Sequence, residues 1–237
     1  MLIELFFKSR EEMQAAVQTL VMLSINTAQQ ERGAALLALS GGSSPQVLYE
    51  SLAQQNLDWK NIHIALVDER WVDPAHSASN EGFLKRCFAH LNCADVDIVG
   101  LKNQADSVVE GLAESEERYR SFESAFDFAL LGMGIDGHTA SWFPHAEGLT
   151  DALSDDADSQ NLLCAVQAKQ SDVTGPYTER ITLTKRAVLN AKTVVLMISG
   201  QEKFDVYQKA KKASPKDHPV AALLQQRDKD IRIFYAP

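Results

Sequence analysis

Residues 128–144 read FALLGMGIDGHTASWFP, and this stretch decides both the fold class and the place of the functional site. A short apolar run, Phe128–Leu131, ends at a loop that contains three glycines. Short apolar runs that end in glycine are typical of buried strands leading into tight turns. Asp136 and His138 lie in this loop, and an imidazole exchanges a proton near neutral pH. The stretch therefore predicts a buried strand with a titratable loop at its carboxyl end.

The glycine spacing of the loop, Gly132-x-Gly134-x-x-Gly137, matches the dinucleotide-binding pattern, but its surroundings do not. That pattern opens a long helix and leads to a second strand ending in an acidic residue about 20 residues later. Here Pro144 follows soon after the glycines, and residues 147–159 form an acidic stretch without a strand-like run. We therefore expect no nicotinamide cofactor.

Strand patterns alternate with helix patterns along the whole chain, and Ser9 and Glu12 form a capping box for the first helix. Strands that alternate with helices predict an α/β fold, with a mostly parallel, doubly wound, Rossmann-like sheet and helices on both faces. No linker or repeat divides the chain, so we expect a single α/β domain over residues 1–237. Later helices are predicted at 45–54, 80–90, 107–124 and 201–211, and strands at 2–7, 34–39, 62–67, 127–131, 162–166, 180–184, 194–198 and 231–235.

The composition excludes several classes of function. The formal net charge is −9, and no block of Lys and Arg indicates a nucleic-acid surface. No signal peptide is recognisable, and no apolar stretch reaches the roughly 18 residues of a membrane span. The three cysteines cannot all pair and lack metal-ligand spacing, which indicates a reducing compartment. We expect a soluble cytoplasmic protein, monomeric or weakly homo-oligomeric, whose partner is a small molecule rather than nucleic acid or a membrane.

Glycine or polar residues follow four of the predicted strands. The carboxyl ends of parallel strands meet at one edge of a sheet, where open α/β sheets bind their ligands. We therefore expect these four segments to converge on one pocket, as an enzyme would require. They are residues 40–45 (SGGSSP), Asp68–Arg70 (DER), the loop with Asp136 and His138, and residues 199–203 (SGQEK).

Residues 40–45 are typical of an anion-binding turn. Gly42 allows the backbone to turn tightly, and Ser43 lies in the same turn. Ser44 is the predicted N-cap of the next helix, with Pro45 at its first position. The free N–H groups at such a helix start bind phosphate, although an ordinary capped helix is the alternative interpretation.

Two cations favour the anion interpretation. Lys203 lies in the first turn of its helix, beside a predicted Ser199/Glu202 capping box, where a positive charge opposes the helix dipole. A bound anion would explain this placement. Arg180 opens a strand and offers a bidentate contact to the same phosphate; a surface arginine is the alternative.

Two aspartates are candidates for orienting His138. Asp136 is able to do so if the loop folds back, and Asp68 lies at the end of another strand; a structural histidine is the alternative. Asp68 and Glu69 are adjacent, so on a strand one faces the pocket and the other pairs with Arg70 or Arg86; a solvated turn is the alternative. The other histidines lack metal-ligand spacing, and no nucleophile motif is present in the sequence. We expect neither a metal nor covalent catalysis.

Five motifs are spread over almost the whole chain: SGGSSP, DERWVDPAHSASNEG, LLGMGIDGHTASWFP, RITLT and SGQEKF. They occur in the order of the 6-phosphogluconolactonase family, which the chain therefore resembles. The resemblance implies a fold similar to that of glucosamine-6-phosphate isomerases. It also implies hydrolysis of 6-phospho-D-glucono-1,5-lactone to 6-phosphogluconate, the second step of the oxidative pentose phosphate pathway, without a metal or organic cofactor.

The resemblance also implies roles for individual residues. His138 falls on the catalytic histidine proposed for the family. Ser43, Arg180 and Lys203 fall on positions associated with the sugar phosphate, and Arg70 is a further candidate contact to the substrate. The chain departs from the family pattern at Glu179, which precedes Arg180 and is able to neutralise part of its charge.

Two other functions fit such a fold. Sugar-phosphate isomerases and deaminases carry a carboxylate five residues after the loop histidine, where this chain has Phe143, which cannot transfer a proton. A non-catalytic sugar-phosphate sensor would need an output module, and the sequence contains no helix-turn-helix segment or basic arm. The sequence therefore favours the lactonase.

Overall fold

The computed structural model describes residues 1–122, 124–156 and 160–237. Glu123, near the end of one predicted helix, and residues 157–159, in the acidic stretch, lie outside the described residues. The strands are β1 (Leu2–Phe6), β2 (Ala35–Leu39), β3 (Ile62–Leu66), β4 (Asp68–Arg70), β5 (Asp97–Val99), β6 (Phe128–Leu131), β7 (Leu163–Gln167), β8 (Glu179–Leu183), β9 (Thr193–Ser199) and β10 (Ile231–Ala236). The α-helices are α1 (Arg10–Arg32), α2 (Gln46–Ala53), α3 (Asn80–Cys87), α4 (Val108–Arg120), α5 (Leu149–Ala152), α6 (Lys185–Asn190), α7 (Gln201–Ala210) and α8 (Ala221–Leu224).

Seven strands form one sheet, in the spatial order β1-β10-β9-β6-β2-β3-β5, and every neighbouring pair is parallel. From β2 the chain adds β3 and β5 on one side, and then returns to β6 on the other side of β2. It continues outward through β9 and β10. The winding direction therefore reverses between β2 and β6, and such a switch point opens a crevice at the carboxyl ends of the strands. The predicted α/β fold with a mostly parallel sheet is confirmed.

Burial along the central strands shows that both faces of this sheet are covered. All five residues of β2 are buried, and successive side chains of a strand point to opposite faces. Helix α1 begins as predicted, since Ser9 Oγ accepts the backbone N–H of Glu12 at 3.2 Å. Its buried side chains recur at helical spacing, as expected for a helix that packs on a sheet. None of the helices in the described ranges is long and apolar enough to cross a membrane.

Three further strands, β4, β8 and β7, form a separate antiparallel sheet. The sequence predicted the strands at 162–166 and 180–184, but it did not separate them from the parallel sheet. The DER segment is itself the short strand β4, and in its register Arg70 lies opposite Arg180. Like charges that face each other across two strands are destabilising. The small sheet nevertheless holds these two arginines opposite each other at the edge of the crevice.

Two predicted helix caps are wrong. Helix α2 has Pro45 as its N-cap residue and no side-chain cap, so Ser44 does not cap it. Helix α7 has Gly200 as its N-cap residue, at φ 88°, and again no side-chain cap, so the Ser199/Glu202 box does not form. The first N–H groups of both helices therefore receive no hydrogen bond from a capping side chain.

Tyr119 completes the hydrogen bonding at the end of β3. Strand β5 pairs with β3 only as far as Ala65. Beyond that point the buried Tyr119 hydroxyl accepts the Leu66 N–H at 2.7 Å and donates to the Leu66 carbonyl at 3.0 Å. Because Leu66 precedes Asp68 by only two residues, this side chain fixes the end of β3 at the edge of the crevice.

We expect Tyr119→Phe to lower the free energy of unfolding by about 1–3 kcal/mol, because it leaves two buried backbone groups without their partner. Urea unfolding at equilibrium measures this loss. Tyr235→Phe is the matched control, since its hydroxyl forms no hydrogen bond with the described residues. Equal urea midpoints for the parent and Tyr119→Phe would contradict the assignment.

Candidate active site

A cavity of about 260 Å³ opens at the switch point between β2 and β6. Its walls come from the carboxyl ends of β2, β3, β6 and β9 and from the small antiparallel sheet. The four predicted segments thus converge on one pocket. Of the nine predicted site residues, only Asp136 does not line it, because it lies behind the histidine; the other eight are Gly42, Ser43, Ser44, Asp68, Arg70, His138, Arg180 and Lys203.

The glycine-rich loop folds back and holds the His138 ring from behind. Gly134 N–H donates to the His138 carbonyl at 2.9 Å. Asp136 Oδ1 accepts both the backbone N–H of His138 at 3.1 Å and its ring Nδ1 at 2.5 Å. A carboxylate oxygen can only accept, so Nδ1 carries the proton and Nε2 is the basic nitrogen of the neutral ring. Asp136, and not Asp68, orients the imidazole in this structure.

Close packing keeps this arrangement in place. A Cβ atom on Gly134 would lie 2.2 Å from two ring atoms of His138, so a larger residue would displace the imidazole. Burial raises the pKa of the Asp136 carboxyl, but the hydrogen bonds from the ring and backbone of His138, together with the charge of that ring when it is protonated, outweigh burial and bring the pKa below its usual value. The carboxylate behind His138 is therefore ionised at neutral pH.

Asp68 and Glu69 face opposite ways, as predicted, but the predicted pairing of the second carboxylate with an arginine is wrong, since Glu69 forms no ion pair with Arg70 or Arg86 within the described residues. Asp68 lines the pocket, and its Oδ2 accepts a hydrogen bond from Ser141 Oγ at 2.5 Å. Glu69 is buried on the other side of β4, where its carboxylate accepts the first backbone N–H groups of α3, from Asn80 and Glu81, each at 2.8 Å. Asp68 therefore fixes the segment that follows His138, while Glu69 fixes the start of a helix.

Arg180 is a buried cation without a buried counter-charge in contact. Only 3% of it is exposed, and its Nε and Nη2 donate to the backbone carbonyls of Tyr177 and Thr174 at 2.7 and 2.8 Å. Burial lowers the pKa of the Arg180 guanidinium to about 10; Asp68 opposes this effect and Arg70 adds to it. Arg180 is still positively charged at neutral pH.

Lys203 is a half-buried cation in the first turn of α7. Burial lowers the pKa of its ammonium group, and the nearby Arg10 adds to this effect. Within the described part of the chain, neither Lys203 nor the two pocket arginines form an ion pair with a carboxylate. The backbone N–H groups of residues 41–44 likewise donate to no described group. Clustered cations and free amides of this kind are typical of an anion site.

Sequence reasoning missed the part played by two pocket residues. Asn80 Oδ1 accepts from Arg70 Nη1 at 2.8 Å, and Asn80 Nδ2 donates to the Asp68 carbonyl at 2.8 Å. A Cβ atom on Gly41 would lie 2.1 Å from that Oδ1, so the turn formed by residues 40–45 packs directly on the side-chain amide of Asn80. Phe143 was considered only as a missing carboxylate, yet its buried ring is part of the pocket wall. The position of Asn80 within the DERWVDPAHSASNEG motif was the available signal.

No group of three or more His, Cys, Asp or Glu residues in the described ranges is arranged to hold a metal ion. The side chains that line the pocket are instead suited to binding an anion and to moving a proton at Nε2 of His138.

Comparison with known proteins identifies the family. The family model described as glucosamine-6-phosphate isomerases/6-phosphogluconolactonase matches residues 8–232. A 6-phosphogluconolactonase of Mesorhizobium japonicum is 30% identical over 231 residues, which cover 98% of this chain and 94% of the relative. One from Pseudomonas aeruginosa is 36% identical over 180 residues, covering 76% and 73%. The crystal structure of a 6-phosphogluconolactonase from Shewanella baltica has a TM-score of 0.91 at 32% identity, covering 100% of this chain and 98% of that one. This chain belongs to the glucosamine-6-phosphate isomerase/6-phosphogluconolactonase family of enzymes.

Proposed function

We propose that this chain hydrolyses 6-phospho-D-glucono-1,5-lactone to 6-phosphogluconate, the second step of the oxidative pentose phosphate pathway. One observation carries the proposal: a single pocket contains an oriented histidine and a cluster of cations without ion-pair partners. The histidine supplies proton transfer, and the cations supply recognition of a phosphate. Family membership and the relatives named 6-phosphogluconolactonase support the choice of the lactone.

In the proposed reaction, His138 acts first as a base and then as an acid. A lactone carbonyl is electrophilic, so water can attack C1 directly while Nε2 takes its proton. The tetrahedral intermediate collapses as the bond between C1 and the ring oxygen breaks, and the imidazolium returns the proton to that oxygen. General acid–base catalysis of this kind contributes about 10²–10⁴-fold. Asp136 holds the ring in the required tautomer and stabilises the imidazolium.

The phosphate of the substrate is proposed to lie on the turn formed by residues 40–45, at the start of α2. The amides of Gly42, Ser43 and Ser44 offer hydrogen bonds there, and Lys203 and Arg180 offer charge. Contacts remote from C1 place the lactone carbonyl near Nε2, so they raise the rate as well as the affinity.

Arg70 and Asp68 complete the proposed site. Arg70 is proposed as a further contact to the substrate, because it lines the pocket and a hydrogen bond to Asn80 Oδ1 holds its guanidinium there. Asp68 is a positioning residue, because its bond to Ser141 fixes the segment that follows His138. Neither side chain has a proton-transfer role in this scheme.

His138→Ala should lower kcat by about 10²–10⁴-fold, and Asp136→Asn should lower it by a smaller factor, since an amide can hold the ring but does not stabilise its positive charge. The matched controls lie outside the pocket, where His63 Nδ1 contacts Asp97 Oδ2 at 2.9 Å in a similar pair. His63→Ala and Asp97→Asn should leave kcat unchanged. Turnover of His138→Ala within a few-fold of the parent, at an unchanged melting temperature, would remove it from the mechanism.

Lys203→Ala and Arg180→Ala should each weaken substrate binding by about 1.5–3 kcal/mol, the scale of a hydrogen bond to a charged group. The measurement is KM together with the inhibition constant of inorganic phosphate, which should compete with substrate in the parent. Lys209→Ala, on the exposed last turn of the same helix, serves as the control. If KM and kcat/KM are unchanged in both pocket variants, the phosphate binds elsewhere.

The parent should release acid from freshly prepared 6-phosphogluconolactone at a rate that scales with protein concentration, and should leave glucosamine 6-phosphate unchanged. The reason is that Phe143 occupies the place of the isomerase carboxylate and cannot transfer a proton. Titration at fixed pH and an ammonia assay, run in parallel, measure the two reactions. Ammonia production without faster lactone hydrolysis would replace the lactonase by the isomerase. Sugar-phosphate binding with neither activity would favour the sensor.

A further inference from the structure

Phe143 contacts both the proposed base and the buried cation of the pocket. Its ring centroid lies 4.6 Å from that of His138, with 35° between the ring planes. The guanidinium carbon of Arg180 lies 5.1 Å from the same centroid, over the ring. Neither contact is a hydrogen bond, so neither occupies Nε2 of His138 or the guanidinium N–H groups of Arg180 that Tyr177 and Thr174 leave free.

The face of an aromatic ring carries a partial negative charge and attracts cations. Arg180 is positively charged throughout the reaction, whereas His138 becomes a cation only after it has taken a proton. An aromatic ring attracts an imidazolium more strongly than a neutral imidazole. A carboxylate at position 143 would instead offer Arg180 a counter-charge.

The backbone holds the Phe143 ring in a fixed place relative to Arg180. Ser141 N–H donates to Thr182 Oγ1 at 3.2 Å, and Trp142 Nε1 donates to the Leu183 carbonyl at 2.8 Å. Both acceptors lie on β8, the strand that carries Arg180. Ser141 and Trp142, which precede Phe143, are therefore held against this strand.

We propose that Phe143 is a positioning residue of this reaction: its ring holds the His138 imidazole, favours the imidazolium formed during catalysis, and keeps Arg180 free of an ion pair. The inference rests on the proposed function, because it assigns the ring a part in proton transfer at His138.

Other titratable and charged groups lie around His138 or its loop, so the test must leave them in place. Leucine at position 143 removes the aromatic face but keeps the surroundings of His138 apolar, which isolates the effect of the ring. The groups that face His138 or its loop are Asp136 on the same loop, Asp68 after β3, Arg70 on β4, Arg180 on β8, Lys203 on α7, and His218, which packs on Gly137.

We expect Phe143→Leu to lower kcat about five- to tenfold and to move the acid limb of the kcat/KM profile about half a pH unit lower. The direction follows because the imidazolium loses a stabilising partner and gives up its proton more readily. KM should rise as well, since Arg180 loses the same contact. Phe143→Tyr keeps the ring and should restore all three values. Phe88→Leu removes a buried ring outside the pocket, so it should change stability without moving the pH profile.

The pKa of His138 itself separates this inference from the proposed function. NMR titration of the His138 Cε1–H signal needs no substrate, and it should give a lower pKa in Phe143→Leu than in the parent. An unchanged pKa, or an equal loss of kcat in Phe143→Tyr, would overturn the role of the ring even in an active lactonase. A parent without lactonase activity would overturn the proposed function, while the titration would still report on the ring. If Phe143→Leu does not fold, Phe143→Met provides the same comparison.

Discussion

The reversal of winding between β2 and β6 is the constraint on which the whole site depends. Neighbouring parallel strands normally have their connections packed together at the carboxyl edge, but at the switch point the connections lead apart. The turn after β2 and the loop after β6 therefore face each other across a gap. One wall supplies backbone amides, and the other supplies His138. Strands β3 and β9, the next neighbours on either side, bring Asp68 and Lys203 to the same gap.

Much of what the pocket offers to a ligand is unfavourable for the fold alone. Arg70 and Arg180 are paired by the register of the small sheet, and Lys203 opposes the dipole of its own helix. Two helices begin without a side-chain cap at this edge. Functional sites often hold groups in arrangements that the rest of the structure must stabilise. Here the buried parallel sheet and the buried Glu69, which fastens the start of α3, give that support.

The sequence predicted this site well where local patterns determine the outcome. Glycine-bounded apolar runs identified the central strands, and their alternation with helices implied that the strand ends would meet. The two-residue spacing of Asp136 and His138 already suggested their contact. The capping predictions at Ser44 and Ser199 were wrong because a capping motif depends only on neighbouring residues and takes no account of what the helix start faces in the folded protein. These two starts instead face a pocket rich in positive charge.

Tertiary contacts explain the other differences. Whether the strand that begins at Glu179 joins the parallel sheet or a separate one depends on partners more than 100 residues away in the chain. The ring of Phe143 acquires its significance only when Arg180, on β8, lies against it. No spacing rule along the chain contains that information. Residue types suggested the chemistry of the pocket, and long-range pairing determined which side chains share it.

The cations that crowd this pocket also link the stability of the protein to its surroundings. In the proposed site, a bound anion would give three mutually repelling positive charges a shared counter-charge, and an unfolded chain offers no such site. By mass action, a ligand present at one hundred times its dissociation constant stabilises the folded state by about 2.7 kcal/mol. Inorganic phosphate, like the substrate, would then act as a structural ion. The lifetime of the folded protein, and its resistance to proteolysis, would rise and fall with the supply of phosphorylated metabolites around it.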